Sequence, residues 1–332
     1  MKRKALIIRY GAYGDSLIIT PFLRELKRRG YHVIVETSER GVEVLQNNPN
    51  VDTVLYYKTD SVPIEKLQDY FDKTKERIAP EKYVNFTQSI EVAIALHPDK
   101  DDYYMTKEQR FMCCNKNYYE FTFRWAKMQG VDLGEPTSWL PELFFTKKEI
   151  KQAKKHVLRD KFNVLVGLIG SGHSKLYPWF NDVIHETYKL IPDVNFITVG
   201  DRNAAEVETS LYVPVTKLSG LIPMRQSMAL TGLVDLVISP DTGLLHAAGC
   251  YNTPKIGLLG HTNIENITKH FKNDYSIEAE CECAPCFRII YNLDQCPTDK
   301  LTKSAWCMGY GIHKSKVIDK ILEVYHKKKE NN

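Results

Sequence analysis

Short apolar runs alternate with amphipathic stretches through the first third of the chain. "ALIIR" leads into an amphipathic segment from Asp15 to Arg29, "HVIVE" into a helix-like segment from Arg40 to Gln46, and "VDTVLYY" into a helix from Ile64 to Arg77 that precedes "KYVNF". Strand, helix, strand, helix in that order predicts a parallel sheet wrapped by crossover helices.

The alternation breaks between Thr87 and Glu135, where "DDYYM" and "NYYEFTFRWAKM" crowd tyrosine, phenylalanine and tryptophan together. Such a segment could wall an acceptor site, the alternative being that its rings are simply core. "TKKEIKQAKKHVLRD" then reads as an exposed connecting helix, with the boundary between halves at Thr146 to Asp160. After it the alternation restarts with "NVLVGLIGSG", "VNFITVG", "VDLVIS" and "PKIGLLG". Helices are predicted between these runs, near Asn181 to Leu190, Ala204 to Leu211 and Met224 to Thr231, and from Gly243. The expected organisation is an α/β chain of two Rossmann-like domains, 1–150 and 151–313, with ligands bound in a central cleft at the carboxyl ends of the strands. A last helix, about Lys314 to His326 within a segment 314–332, is expected to pack back on the first half.

Composition changes this picture little. The chain has 332 residues, 43% hydrophobic and 26% charged, which suits a soluble two-domain protein. No run approaches the ~18 consecutive apolar residues of a spanning helix, and the apolar run in "MKRKALIIRYG" is too short for a signal-peptide core, so a cytoplasmic protein is expected. A net charge of +4 gives no clear case for nucleic acid, though a local basic face could contact an anionic membrane. The basic tail "YHKKKENN" is expected to be a solvated end. Eight cysteines, five of them crowded between Cys281 and Cys307, favour thiols and a metal over a disulfide framework.

Two strand-to-helix turns carry the chemistry. In "RYGAYGDSLIITPFLREL", Gly11 and Gly14 sit in the turn after the first strand and Asp15 stands at the start of the next helix. Exposed amides there suit a negatively charged ligand, although Asp15 could equally be a helix N-cap. "GAYGDS" has neither the dinucleotide glycine spacing nor a P-loop ending. Glu36, ending the second strand, keeps a nicotinamide oxidoreductase open as a rival, since a ribose-binding acid could stand there. In the second half, "ISPDTGLLHAAG" opens a helix with Asp241, Thr242 and Gly243. Its amides through Leu244, the Thr242 hydroxyl and His246 could gather a diphosphate, the alternative being another capped turn. Lys175, in the glycine-bearing loop "GSGHSKLYPW", could hold phosphate as a point charge.

Taken in order, "IIRYGAYGDSLIITPFLRELK", "GSGHSKLYPW" and "RQSMALTGLVDLVISPDTGLLHAAGCYNTPKIGLLGHTN" resemble glycosyltransferase family 9, the ADP-heptose:lipopolysaccharide heptosyltransferases. The resemblance spans most of the chain. It implies a GT-B fold and inverting, metal-independent transfer from a nucleotide-activated sugar, ADP-heptose or similar, to a glycan such as lipopolysaccharide core. The expected setting is the cytoplasm, peripheral at the inner membrane. On that pattern Asp15 is the general base, Lys175 the phosphate-contacting lysine, and Asp241, Thr242, Gly243 and His246 the donor-binding turn. The acid that meets the donor ribose maps to Glu206, with Asp201 its rival. "GHTNI" departs from the family's Gly-Pro-Thr-Asp-Pro run, because His261 and Asn263 replace proline and aspartate.

"CECAPCFRIIYNLDQCPTDKLTKSAWC" sets Cys283 and Cys286 as one knuckle and Cys296 and Cys307 as the later pair of a four-sulfur set, as zinc or iron requires. Cys281 is the spare or alternative ligand. Family members resembling this chain carry such a stretch, and some protein-modifying ones hold iron with four cysteines, which implies a structural metal beside the site. The alternative is buried free thiols. A non-catalytic carbohydrate- or protein-binding module on the same scaffold is the remaining reading.

Overall fold

A computed structural model describes residues 3–56, 66–87, 106–288 and 296–330. The chain divides into two compact units, Met1–Ala95 with Lys116–Phe145, and Leu96–Asn115 with Thr146–Asn332.

In the first unit, β1 (Lys4–Arg9), β2 (His32–Thr37), β3 (Thr53–Tyr56) and β4 (Lys82–Asn85) form an all-parallel sheet in the order β3-β2-β1-β4. Parallel neighbours cannot be joined by tight hairpins, so each crossover carries helix: α1 (Tyr13–Ile18), α2 (Thr20–Arg28), α3 (Glu39–Leu45) and α4 (Leu67–Ile78). The single helix expected over Asp15 to Arg29 is two helices that meet at Ile19. Pro21 occupies the first turn of α2 and brings no N–H, so a new helix starts there.

Of the aromatic stretch, α5 (Lys107–Cys114) belongs to the second unit and α6 (Tyr118–Met128) to the first. The rings of α6 are core: Tyr118, Tyr119, Phe121 and Phe123 are buried, and Phe22 meets Phe86 and Phe123 edge-on at centroid distances of 5.2 and 5.3 Å. "DDYYM", the other half of the expected acceptor wall, lies outside the described residues. Side-chain bonds tie α5 to the second unit, where Arg110 Nε donates to the Cys286 carbonyl at 2.7 Å and Asn266 Nδ2 to the Cys114 carbonyl at 3.1 Å. That is why a segment expected in the first half by sequence position falls in the second.

The second unit opens with α7 (Lys147–Ala153), shorter than the connecting helix expected and not simply exposed: Ala153 is buried and Glu149 pairs with Arg225. Then come β5 (Phe162–Gly167), α8 (Phe180–Leu190), β6 (Val194–Val199), α9 (Arg202–Thr209), β7 (Thr216–Lys217), α10 (Met224–Leu230), β8 (Leu236–Pro240), α11 (Gly243–Ala248), β9 (Lys255–Leu259), α12 (Ile264–Ile267), β10 (Ile277–Glu278), α13 (Trp306–Gly309) and α14 (Lys314–Glu330). Their sheet is parallel throughout in the order β10-β9-β8-β5-β6-β7.

Helix α14 buries Val317, Ile321 and Val324 among Phe162, Val183 and Ile184 of this unit's own core, each such burial contributing about 1.5–3 kcal/mol. The expectation that it packs on the first half is corrected accordingly. Its basic end is not a loose tail either, since Lys328 pairs with Asp235 at 2.7 Å and Lys329 with Asp193 at 2.9 Å. Among the described residues no helix is long and apolar enough to cross a membrane.

Candidate functional site

Arg9 ends β1 and Gly11 turns the chain, with φ +128°, a conformation that L side chains rarely adopt. A Cβ at Gly11 would also lie 2.5 Å from Asp15 Oδ2, so the turn closes directly on the carboxylate. Ala12 occupies the N-cap position of α1, Gly14 is buried in its first turn, and Asp15 reaches back from the third position to accept the Ala12 N–H through Oδ2 at 2.7 Å. Asp15 is thus not the N-cap that the capping alternative made it; it serves the N-cap amide from inside the helix. Asp15 Oδ1 accepts from the Arg9 guanidinium, which is 3% exposed, whereas the Asp15 side chain remains 23% exposed. A fixed carboxylate with a solvent-facing part can exchange a proton with a bound hydroxyl.

Glu36 does not offer the same. It is fully buried, accepts from Tyr10 Oη at 2.8 Å, and its Oε2 has no hydrogen-bond partner among the described residues. A carboxylate sealed in the core cannot meet a ribose unless the core opens, which removes the main support of the oxidoreductase reading.

In the second unit, the loop after β5, the turn after β8 and the loop after β9 converge on one carboxylate. Lys175 Nζ stands 3.5 Å from Asp241 Oδ2, His246 Nε2 3.5 Å from Oδ1, and His261 Nε2 3.6 Å from Oδ2. The approach is close: a Cβ at Gly170 would meet Lys175 Cδ at 2.7 Å and Thr242 Cγ2 at 2.9 Å. Thr242 is the N-cap of α11, which begins at Gly243. Its Oγ1 accepts the Leu244 N–H at 3.2 Å and shares a hydrogen with Ser239 Oγ at 2.8 Å.

Burial would raise the Asp241 pKa, but Lys175 first, then His246 and His261, outweigh it and hold the carboxyl well below the usual range. Burial pushes His261 the other way, down to about 4, with Lys175 acting in the same sense and Asp241 opposing. His261 is therefore neutral near pH 7, and Lys175 supplies the positive charge that keeps Asp241 ionised. A carboxylate repels a diphosphate, so Asp241 serves an anion indirectly, by fixing Lys175.

Glu206 stands apart, exposed on α9. Its rival Asp201 caps that helix, accepting the Ala204 N–H at 3.0 Å, and Glu208 is buried, accepting from Thr198 Oγ1 and Ser219 N. Asn263, one of the two departures noted above, is the N-cap of α12, where its Oδ1 accepts the Asn266 N–H at 2.9 Å.

The cysteine-rich stretch lines a cavity of about 580 Å³. Cys283, Cys286, Cys296 and Cys307 all face it, together with Lys107, Arg110, Arg288 and Trp306. None of these cysteines forms a disulfide, and Cys281 Sγ lies 3.6 Å from Cys283 Sγ. That contact pushes Cys283 up and Cys281 down to about 7, while burial and the neighbouring sulfurs raise Cys307 and Cys296. Among the described residues no group of three or more ligating side chains is already drawn together as a metal would hold it.

Residues 140–296 match the model of glycosyltransferase family 9 (heptosyltransferase). This part of the chain is similar to family 9. The curated lipopolysaccharide core heptosyltransferase OpsX of Haemophilus influenzae is 28% identical over 146 residues, a match covering 42% of this chain and 41% of OpsX. The chain thus spans less than half the length of that relative. The crystal structure of the family 9 glycosyl transferase of Veillonella parvula superposes with a TM-score of 0.71 at 15% identity, covering 98% of each chain. The dodecameric iron-containing heptosyltransferase TibC, solved with ADP-D-β-D-heptose, gives 0.59 at 13% identity over 98% of this chain and 77% of its own. The fold is that of the GT-B glycosyltransferases, with two Rossmann-like domains.

The family 9 segment contains Lys175, Glu206, the Asp241 turn, His261 and three of the four proposed cysteine ligands; Asp15 and Cys307 lie outside it. Sequence reasoning missed Arg9, because a basic residue closing an apolar strand looks like a solvated end. It also missed Lys107 and Arg110, which reach the cavity from a segment that sequence order puts in the first half. His261 appeared only as a departure from the family pattern, although a histidine directly after a buried strand run was the available signal.

Proposed function

We propose that the chain is an inverting glycosyltransferase that moves a sugar, a heptose by its relatives, from a nucleotide-diphosphate donor to a glycan acceptor such as lipopolysaccharide core. The observation that carries this is the family 9 match over a segment whose Lys175, His246 and His261 stand about one buried carboxylate at the carboxyl ends of parallel strands. OpsX is a lipopolysaccharide core heptosyltransferase and TibC was solved with ADP-heptose, which supports the donor and acceptor classes. The expected setting is the cytoplasm, with the acceptor presented at the inner membrane.

In this reading the acceptor hydroxyl attacks the anomeric carbon from the face opposite the diphosphate, and Asp15 accepts its proton as the new C–O bond forms. The bond to the diphosphate breaks with its electron pair going to the leaving oxygen. Lys175 balances the charge that develops there, a role that asks for no divalent cation. Gly11 forms the turn that leads to Asp15 and Gly14 lies in the first turn of its helix; Gly243, Leu244 and His246 complete the donor turn, and Glu206 is assigned to the donor ribose. A screen of nucleotide sugars by thermal shift tests the donor class, because a ligand at 100 times its Kd adds about 2.7 kcal/mol to stability. Stabilisation by ADP-sugars together with transfer to a glycan is the expected result; no nucleotide sugar stabilising the protein overturns the proposal.

The cysteines suit a structural zinc or iron. Burial and then neighbouring sulfurs raise Cys296 and Cys307, burial raises Cys286, and a soft cation relieves that cost by taking the four as thiolates. Cys283, Cys286, Cys296 and Cys307 would hold it, and its contribution is to fix this part of the second unit rather than to act on the sugar. Metal analysis of purified protein is expected to find close to one zinc or iron per chain, lost in Cys286→Ser with a lower melting temperature.

A further inference from the structure

We propose that Arg9 is the positioning residue for Asp15, fixing which lone pairs of the base meet the acceptor hydroxyl; this rests on the reading of Asp15 as the base. Three observations carry it. Arg9 is a buried cation whose guanidinium donates to Asp15 Oδ1. Its Nη1 donates at 2.6 Å to the carbonyl of Phe86, a residue whose own N–H is held by the Ile8 carbonyl at 2.7 Å. The Arg9 carbonyl accepts from Thr37 Oγ1 at 2.7 Å. Arg9 is thereby held through its backbone between β1 and β2 and through its guanidinium to the residue that follows β4, and through it the base is referenced to the sheet rather than to the loop before its helix.

The consequence for the chemistry is geometric. The Ala12 N–H takes one lone pair of Oδ2 and Arg9 takes one of Oδ1, so the carboxylate is held at both oxygens and cannot rotate. Each oxygen keeps one lone pair, and the exposed part of the group is where an acceptor hydroxyl can meet it. A guanidinium suits this post because it stays protonated and its planar fork can serve a carbonyl and a carboxylate at once. Other charged groups near this turn are engaged elsewhere: Glu36 accepts from Tyr10 Oη and Glu43 from Tyr13 Oη at 3.2 Å.

Proton and electrons balance through the chain's own groups. The acceptor O–H bond breaks, its proton passes to the Asp15 carboxylate, the oxygen's electron pair forms the glycosidic bond, and the diphosphate departs with the pair from the broken bond. Arg9 stays protonated throughout and touches neither substrate, so it holds the base without sharing in the transfer.

The test is a kinetic split measured on Arg9→Gln and Arg9→Lys in the full chain, alongside Asp15→Asn and parent. Arg9→Gln is expected to lower kcat about a hundredfold, with nucleoside-diphosphate affinity and acceptor KM within about twofold of parent. Arg9→Lys, which keeps the charge but loses the fork, is expected to recover about tenfold of that loss. Parent-like kcat in Arg9→Gln while Asp15→Asn is inactive overturns the positioning role alone. A parent-like Asp15→Asn instead overturns the base reading beneath it. If Arg9→Gln does not fold, Arg9→Lys decides: a kcat equal to parent overturns the proposal, and a lowered kcat with unchanged nucleotide affinity supports it.

Discussion

Asp15 and Asp241 are each an acid at a strand-to-helix turn, and they are held in opposite ways. Asp15 is a quarter exposed, with one buried arginine and one backbone amide as partners. Asp241 is almost wholly enclosed, with a lysine and two histidines about it at 3.5 to 3.6 Å. An acid that must take and release a proton needs access to its ligand, and the first has it. An acid enclosed beside a lysine and held strongly ionised has no proton to exchange near neutral pH, so the second organises charge. Two similar sequence motifs thus yield one carboxylate open to solvent and one suited to holding a lysine in place.

The largest expected effect separates the two directly. Asp15→Asn keeps the side chain's shape and one oxygen, which can accept from Arg9 or from the Ala12 amide but not from both positions, and an amide cannot take the proton; kcat is expected to fall by about 10²–10⁴ with donor affinity unchanged. Single-turnover assays and nucleotide titrations of the same preparation read both quantities. A rate within threefold of parent would remove the distinction drawn here.

Asp241→Asn is expected to act on stability before rate. Taking one partner from a buried ionic group leaves Lys175 without its counter-charge, at a cost of about 3–5 kcal/mol, and the lysine is then no longer fixed for a phosphate. Chemical denaturation should show the loss, and nucleoside-diphosphate affinity should fall with it. A variant as stable as parent would mean that solvent already screens this group.

A third experiment tests the neutral histidine. His261 is held down to about 4, whereas an unfolded histidine titrates near 6.5. Between those values the unfolded chain binds the extra proton, so this contribution to stability is fully present above about 6.5 and is lost as pH falls toward 4. At about 1.4 kcal/mol per pKa unit, the loss comes to roughly 3 kcal/mol at the acid end. Asp241, depressed in the folded state, keeps its contribution until pH falls below the ordinary carboxylate range, so its loss falls at lower pH than that of His261. Melting temperature measured from pH 7 to pH 4 in parent and His261→Gln should show the slope in parent and its flattening in the variant. Equal slopes would place the acid sensitivity in another residue.

How much of this was legible beforehand follows from where each signal resides. The two parallel sheets were legible because each strand is a short apolar run bounded by helix, and those runs pair in parallel. Asp15, Lys175 and the Asp241 turn were legible because glycine and acid at a strand end form a local pattern. Arg9 was not, since its partner Phe86 lies 77 residues away and only sheet pairing brings the two together. Nor was the placement of α14, whose apolar face would suit either unit. Its lysines read as a solvated tail because Asp193 and Asp235, which receive them, belong to distant parts of the chain.

The smallest expected effect concerns Glu206, which is proposed for the donor ribose and stands apart from the Asp241 group. It is exposed on α9, so Glu206→Ala should leave the melting temperature essentially where it was, within about 0.5 kcal/mol. If the carboxylate accepts a hydrogen bond from the donor ribose, its removal should weaken nucleoside-diphosphate binding about five- to tenfold, the scale of one hydrogen bond to a charged group exposed to water. The informative control is Asp201→Ala, which removes the cap of the same helix at a cost of about 1 kcal/mol and should leave the ribose contact in place. Weaker binding in Glu206→Ala with parent-like binding in Asp201→Ala assigns the contact to Glu206. The reverse pattern moves it to Asp201, and equal binding in both leaves the donor held from the Asp241 side alone, with Lys175 as its principal charge.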